Sequence, residues 1–387
     1  MPLNYASVES FASKFVEESL RRQAETNKIA AELNTAFEQA ASVPDQLRQS
    51  IEQAEISEAK LHTAKPMHES LLSSFPLPQQ PNQFTLLAAD GSQIVPSRHR
   101  ALQFGLINVG LFKGSFGSGL PPDIDLISEL LEVDQLFTSD GTLIGDDEIA
   151  LQRDLRERIL IRDNITSEDV HPILTVTDGQ LDLFYRSSIQ AVTNRDAQSA
   201  VYQLDQRLEQ EGVISAGYID KPGAAMLDKM VEIYQKAQSP SEQTVERDKR
   251  QISDRALLAG RLLPGHRSAL FEIISKRTPV NPQRLHCAFF YLNVAAEAGT
   301  EWLARVEIPY WVAQKPQLVN FVHAVLYRDA QVLDSHPYPY SLHRAHELAL
   351  VRQAEHEEIE HMLLSKLPQN AAGISPRSNK DHWKGQK

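Results

Sequence analysis

The stretch Leu86-Leu87-Ala88-Ala89-Asp90-Gly91-Ser92-Gln93 decides how the chain is read. A short apolar run ends in a carboxylate, then a glycine and two small polar residues. The run predicts a buried strand, and Gly91-Ser92 predicts the turn that stops it. The same pattern returns in Ile173-Leu174-Thr175-Val176-Thr177-Asp178-Gly179-Gln180. Strand ends are where α/β proteins place their chemistry, and two of them carrying carboxylates to one sheet edge suit a hard divalent cation. Asp-Gly after a strand is also an ordinary turn signal, so these two stretches alone leave a turn and a site as alternatives.

At 387 residues and 42% hydrophobic content the chain is long enough for one large domain or two ordinary ones. No stretch approaches the ~20 apolar residues that span a bilayer, and Met1-Pro2-Leu3-Asn4-Tyr5 lacks the features of a secretory signal. A cytoplasmic protein with no membrane partner is expected. The single cysteine, Cys287, excludes an internal disulfide framework and a cysteine-rich zinc site, and its apolar surroundings predict burial. A net charge of −12 argues against a generally basic nucleic-acid surface. It leaves room for a metal-assisted one, because bound cations invert the local charge.

Residues 7–74 predict helices. Phe11, Phe15, Ile29, Leu33 and Phe37 recur near a four-residue spacing, and Leu47, Ile51 and Ala54 resume it after Val43-Pro44-Asp45. With Phe75-Pro76-Leu77-Pro78 as a stiff linker, 1–80 forms a helical hairpin whose amphipathic faces serve dimer or partner docking. Residues 81–366 follow as a mixed α/β domain. Its expected elements include a strand over 104–111, a glycine-rich loop over 113–122, helices over 146–162 and 187–211, and a strand over 213–219. Further strands are expected over 285–294 and 302–308, and a single helix over 341–364. The polar tail 367–387 is expected to be disordered. Gly114-Ser115-Phe116-Gly117-Ser118-Gly119 lacks the lysine of a nucleotide-binding loop, which argues against a P-loop ATPase.

Six short motifs then stand in a recognisable order. They are Ala89-Asp90-Gly91-Ser92, Thr177-Asp178-Gly179-Gln180, Gly217-Tyr218-Ile219-Asp220-Lys221-Pro222, Ser253-Asp254-Arg255-Ala256, Arg305-Val306-Glu307-Ile308-Pro309 and Tyr338-Pro339-Tyr340-Ser341-Leu342-His343-Arg344-Ala345-His346. Together they resemble the NurA family of nucleases, which more usually has Ser where Gln180 stands here. The resemblance implies a ribonuclease-H-like mixed sheet flanked by helices that binds Mn²⁺ or Mg²⁺, with two ions expected. It implies DNA cleavage, as a 5′-to-3′ exonuclease with single-strand endonuclease activity, in DNA end processing. It also implies a homodimer that works with a HerA-type hexameric ATPase.

On that resemblance Asp90 and Asp178 are metal ligands, joined by Glu157 as the helical acid preceding the second Asp. Glu148 and Glu168 compete with Glu157 for that place, and a solvated helix face explains any of the three. His346 is a metal ligand or a proton carrier, and His343 stands one turn before it. Lys221 contacts the scissile phosphate or is a salt-bridged surface lysine. Asp254 holds a metal, orients Lys221, or is simply an acid at a helix N-terminus. Tyr338, Trp302 and Trp311 offer stacking surfaces for bases, with core packing the alternative for the tryptophans. A different class of function is a non-catalytic dimeric adaptor of a DNA-translocating ATPase.

Overall fold

A computed structural model describes residues 4–183, 189, 191–238, 251–276, 284–297, 299–333 and 336–367. Among these the helices are α1 Tyr5–Ala41, α2 Pro44–Ser57, α3 Asp146–Asp163, α4 Ala191–Gln210, α5 Met226–Gln238, α6 Asp254–Leu258, α7 Tyr310–Ala313, α8 Pro316–Ala330, α9 Tyr340–Ala349 and α10 Gln353–Ser365. The strands are β1 Leu61–Pro66, β2 Phe84–Ile94, β3 Leu106–Phe116, β4 Asp123–Leu130, β5 Ile173–Asp178, β6 Ile214–Ile219, β7 Phe271–Lys276, β8 Cys287–Asn293 and β9 Leu303–Pro309. The fold is α/β, a mixed sheet flanked by helices, with two helices at its N-terminal end. Ser239-Pro240-Ser241-Glu242, which the sequence predicts as a surface loop, and the tail over 368–387 lie outside the described residues. Among the described residues no helix is long and apolar enough to cross a membrane.

The chain divides into two compact units. The first takes Met1–Leu77, Asp220–Val280 and Ala288–Arg305, and its strand order is β1-β7-β8-β9. Leu33, Phe37, Leu47 and Ile51 of α1 and α2 share its core with Met226, Met230 and Phe271. Pro44 in the first turn of α2 starts that helix where a missing N–H costs nothing. The helical pattern expected to run to residue 74 ends at Ser57. Leu61–Pro66 is instead a strand, because β7 offers it an antiparallel partner distant in sequence, from Leu61↔Lys276 to Pro66↔Phe271. The expected linker at Phe75 is likewise paired: its N–H and carbonyl bond the backbone of Arg267, whose guanidinium lies 4.0 Å above the Phe75 ring. Phe11 and Phe15, on the helix face expected to serve dimer or partner docking, are 68% and 70% exposed.

The second unit takes Pro78–Ile219, Asn281–Cys287 and Val306–Lys387, with strand order β9-β6-β5-β2-β3-β4. β2, β3 and β4 are antiparallel neighbours, and β5 and β6 add in parallel on the other side of β2. This is the ribonuclease-H-like arrangement expected. β2 does not stop at Gly91-Ser92. It runs to Ile94 because β3 supplies a partner along its whole length, Asp90↔Gly110, Gly91↔Val109 and Ser92↔Asn108 among them. β3 in turn extends through the expected glycine loop to Phe116, whose ring stacks on Phe84 at 4.5 Å.

Helices cover both faces of this sheet. Ile149, Leu160 and Ile161 of α3 pack with Leu87, Ala89, Val109 and Leu111 on one face. α9 lies on the other face, against β2 and β3. Gly110 makes that contact close: a Cβ there would sit 2.6 Å from the Leu348 Cβ and 2.7 Å from the Ala345 carbonyl. Asp329 anchors the start of α9, accepting bonds from the Ser341 N–H and hydroxyl. Its end is set by β2 and β3. The Ser92 hydroxyl and the Asn108 amide both donate to the Ala349 carbonyl, and the Val351 N–H donates to the Ser92 oxygen. These bonds replace the next helical turn, so the single helix expected over 341–364 is broken into α9 and α10.

Three buried carboxylates carry a pH signature. Asp205, Asp254 and Asp329 are each raised to about 6, with burial the largest cause. An acid raised on folding stabilises the fold most below its unfolded pKa and loses that contribution as pH rises through its folded value. The sensitive window is therefore about pH 4 to 6. Asp205 accepts from the Ser215 hydroxyl at 2.8 Å, a bond that the amide oxygen of Asn can also accept. We expect Asp205→Asn to be more stable than the wild type above pH 6, by on the order of 1–3 kcal/mol, with the gain vanishing near pH 4. Urea denaturation midpoints across that range measure it.

Candidate active site at the end of two parallel strands

The β2–β5 pairing ends at Ala89↔Thr177. One step further along each strand stand Asp90 and Asp178. In-register residues of parallel neighbours share a face, so the two acids stand on one face of the sheet, one step beyond the last pair. Asp178 is exposed and Asp90 is half-buried. His346 of α9 reaches the same point: its Nδ1 lies 2.6 Å from Asp90 Oδ2. The other oxygen, Oδ1, accepts the Gly91 N–H at 2.8 Å. Asp90 is thus held by its own strand on one side and by an exposed imidazole on the other.

Glu157 arrives from α3, on the opposite face. Successive strand residues point to opposite sides, so Gly91 faces α3 where Asp90 faces α9. A Cβ on Gly91 would lie 2.6 Å from Arg153 Cγ and 2.8 Å from Glu157 Oε1. The missing side chain is what lets the carboxylate stand directly behind Asp90. Glu157 is 6% exposed and forms an ion pair with Arg153 at 3.1 Å. Burial raises its carboxyl well above the usual range. The Asp154 and Asp90 charges push the same way, and Arg153 and Arg158 oppose them. Arg153 itself is raised by Glu157, Asp154 and Asp90, against the effect of its burial. It is the counter-charge of the cluster, and only its i,i+4 spacing to Glu157 marked it in the sequence.

The competing acids lie elsewhere. Glu148 bonds the Gly145 N–H at the start of α3, and Glu168 is an exposed residue of the turn before β5. His343 stands 3.6 Å from Glu347. Tyr338 meets Tyr218 edge to face at 5.8 Å.

Lys221 and Asp254 belong to the first unit. Asp254 is fully buried, and both its oxygens are engaged. Oδ1 accepts the Leu227 N–H at 2.8 Å, and Oδ2 accepts the Met226 N–H at 3.1 Å and the Tyr291 hydroxyl at 2.6 Å. It caps α5, satisfying amides that a helix start leaves without partners. Lys221 follows β6 by two residues and is the non-glycine residue with positive φ, 43°, among those described. Its Nζ lies 4.0 Å from the Trp302 ring centroid, and the Trp302 indole N–H donates to Asp220 at 2.7 Å. Trp302 is therefore half-buried with one ring face under a cation.

Among the described residues no three His, Cys, Asp or Glu side chains are clustered as a ready-made metal site. Asp90 is engaged by His346, and Glu157 by Arg153.

These elements define a class: an α/β protein with an Asp at the end of each of two parallel strands and an imidazole bonded to one of them. The NurA domain family matches residues 84–351, more than half of the chain. The chain belongs to that family, the nuclease family its motifs resemble. The crystal structure of the NurA nuclease from Sulfolobus solfataricus is similar over 92% of this chain and 97% of that one, with a TM-score of 0.46 and 13% identity. The C-terminal lobe of a budding yeast Argonaute is similar over 77% of this chain and 52% of that one, with a TM-score of 0.31 and 9% identity. No curated protein matches the chain.

The contact through Gly91 has a measurable cost. Gly91→Ala drives a methyl into the Arg153 stem and the Glu157 carboxylate, neither of which is free to withdraw. We expect a loss of about 1–3 kcal/mol in unfolding free energy, read by denaturant titration.

Proposed function

We propose that the protein is a divalent-metal-dependent deoxyribonuclease that hydrolyses phosphodiester bonds at the Asp90–Asp178 edge. The observation that supports this reading is the β2–β5 register, whose last pair, Ala89↔Thr177, is followed by Asp on both strands, with His346 bonded to Asp90. The donor set fits Mn²⁺ or Mg²⁺ by its chemistry: carboxylate oxygens with one imidazole and no thiolate. The buried Glu157 Oε1 accepts no hydrogen bond, and its carboxyl feels the Asp154 and Asp90 charges against those of Arg153 and Arg158. Asp90, Asp178 and His346 would hold the metal, two ions in our reading, with Glu157 adding negative charge from behind the sheet. Bound there, such ions lower the pKa of an attacking water and stabilise charge on the leaving oxygen.

The chain's own groups divide the remaining work. A neutral His346 that donates from Nδ1 to Asp90 keeps its lone pair on Nε2, free to bind a cation or take a proton. Arg153 offsets the carboxylate charge from behind the sheet.

The family resemblance supports the finer terms: a 5′-to-3′ exonuclease with single-strand endonuclease activity, acting in DNA end processing with a HerA-type hexameric ATPase. We also read the protein as a homodimer. The exposed apolar residues along the first half of α1, Val8, Phe11, Phe15 and Leu20, support an assembly role for that helix. One observation favours the alternative, a non-catalytic adaptor of the ATPase: the lack of a ready-made three-donor cluster among the described residues.

Digestion of end-labelled DNA separates the two. We expect cleavage with Mn²⁺ or Mg²⁺, none with EDTA, and loss of at least about a hundredfold in rate for Asp90→Asn or Asp178→Asn. Wild-type protein that leaves DNA intact in every metal would favour the adaptor. A Mn²⁺ titration by calorimetry then assigns His346. For a ligand, His346→Ala weakens Mn²⁺ binding by about ten- to a hundredfold together with turnover. For a proton carrier, turnover alone falls.

A further inference from the structure

Asp178 is the last residue of β5, and the turn that follows it is bound at every residue. The Gly179 N–H donates to the Tyr218 carbonyl at 2.7 Å. Arg158 of α3 donates to the Gln180 carbonyl at 3.2 Å. The Leu181 N–H donates to the Glu307 carboxylate at 2.9 Å. The Asp182 carboxylate pairs with Arg284. The turn crosses β6 directly above Gly217, where a Cβ would lie 2.7 Å from both the Gly179 carbonyl oxygen and the Leu181 nitrogen.

Glu307 stands out among these contacts. It is a strand residue of β9, 2% exposed, in a layer that also holds the buried Asp182. Burying an ionisable group is costly unless polar partners satisfy it. An apolar residue would serve the packing of β9 better. The amide that Glu307 binds belongs to the turn carrying Asp178.

We propose that Glu307 is a positioning residue of the candidate site: together with Gly217 it fixes the turn Asp178–Asp182, so that Asp178 stays level with Asp90. This rests on the reading of Asp178 as a metal ligand. Glu307 touches neither metal nor DNA in this scheme. It acts through the Leu181 amide, as a carboxylate behind a ligand commonly does.

The test uses full-length wild-type protein, Glu307→Ala, Glu307→Gln and Gly217→Ala. The Gln amide oxygen can still accept the Leu181 N–H, whereas Ala leaves it unpaired. Gly217→Ala lifts the turn and leaves Glu307 untouched, which keeps the test open should Glu307→Ala fail to fold. The first readout is hydrogen exchange of residues 178–182 in metal-free protein. We expect exchange at least about tenfold faster in Glu307→Ala and Gly217→Ala, and near wild-type exchange in Glu307→Gln. The second is Mn²⁺ affinity by calorimetry, expected to fall by about ten- to a hundredfold in the same two variants and to be retained in Glu307→Gln.

Unchanged exchange and Mn²⁺ affinity in Glu307→Ala or Gly217→Ala would overturn the proposal. So would equal losses in the Gln and Ala variants, which would assign the effect to the buried charge. Wild-type protein that neither binds Mn²⁺ nor cuts DNA would overturn the nuclease reading instead, and the exchange comparison would still decide whether Glu307 holds the turn.

Discussion

The structure of the second unit depends on where one strand pairing ends. β2 and β5 run parallel from Thr85↔Ile173 to Ala89↔Thr177, and beyond that β5 turns away while β2 continues against β3. Parallel strands deliver their C-terminal ends to the same edge, so whatever residue follows the last pair is presented there twice. Here that residue is Asp on both strands. The continuation of β2 matters as much as the end of β5. Paired with β3 through Ile94, Asp90 stands on a rigid ribbon rather than a free loop, and α9 can seat on the same ribbon to bring His346 to it.

Glycines at three positions turn this edge into a crowded site. Gly91 admits Arg153 and Glu157, Gly110 admits α9, and Gly217 admits the turn after Asp178. None of these three needs a left-handed backbone; each is required for the space above it. Two are paired to the carboxylate strands in register, Gly110 to Asp90 and Gly217 to Thr177. The close layers over the acids are thus made by removing side chains from the sheet.

Charge is handled differently at the site and away from it. Asp254 and Asp329 are buried acids whose oxygens take helix-start N–H groups and a hydroxyl, so they cap helices rather than wait for a ligand. Glu157 is buried too, yet two other carboxylates act on it, its Oε1 accepts no hydrogen bond, and Arg153 and Arg158 only partly offset the charge. Negative charge concentrated with so little compensation is costly in a purely structural core.

Much of this was legible locally. The paired strand–Asp–Gly stretches, α3 with Glu157 inside it, the break at Pro44 and the burial of Cys287 follow from patterns a few residues long, and those patterns depend only on chain neighbours. The order of six motifs made the family recognisable. What the sequence did not reveal came from partners distant along the chain. β1 looked helical until β7 paired it, Phe75 looked like a linker until Arg267 bonded it, and the helix over 341–364 looked continuous until Ser92 and Asn108 took the Ala349 carbonyl. The same reason separates the candidate residues. An Asp before a Gly at a strand end is visible in the sequence, but the β2–β5 register, the opening at Gly91 and the bond from Leu181 to Glu307 exist only once the sheet has formed. The sequence by itself determined which side chains can carry chemistry. Only the tertiary structure decided which of them meet, because proximity across a sheet is set by strand order and register, and neither is written in the local pattern of any one strand.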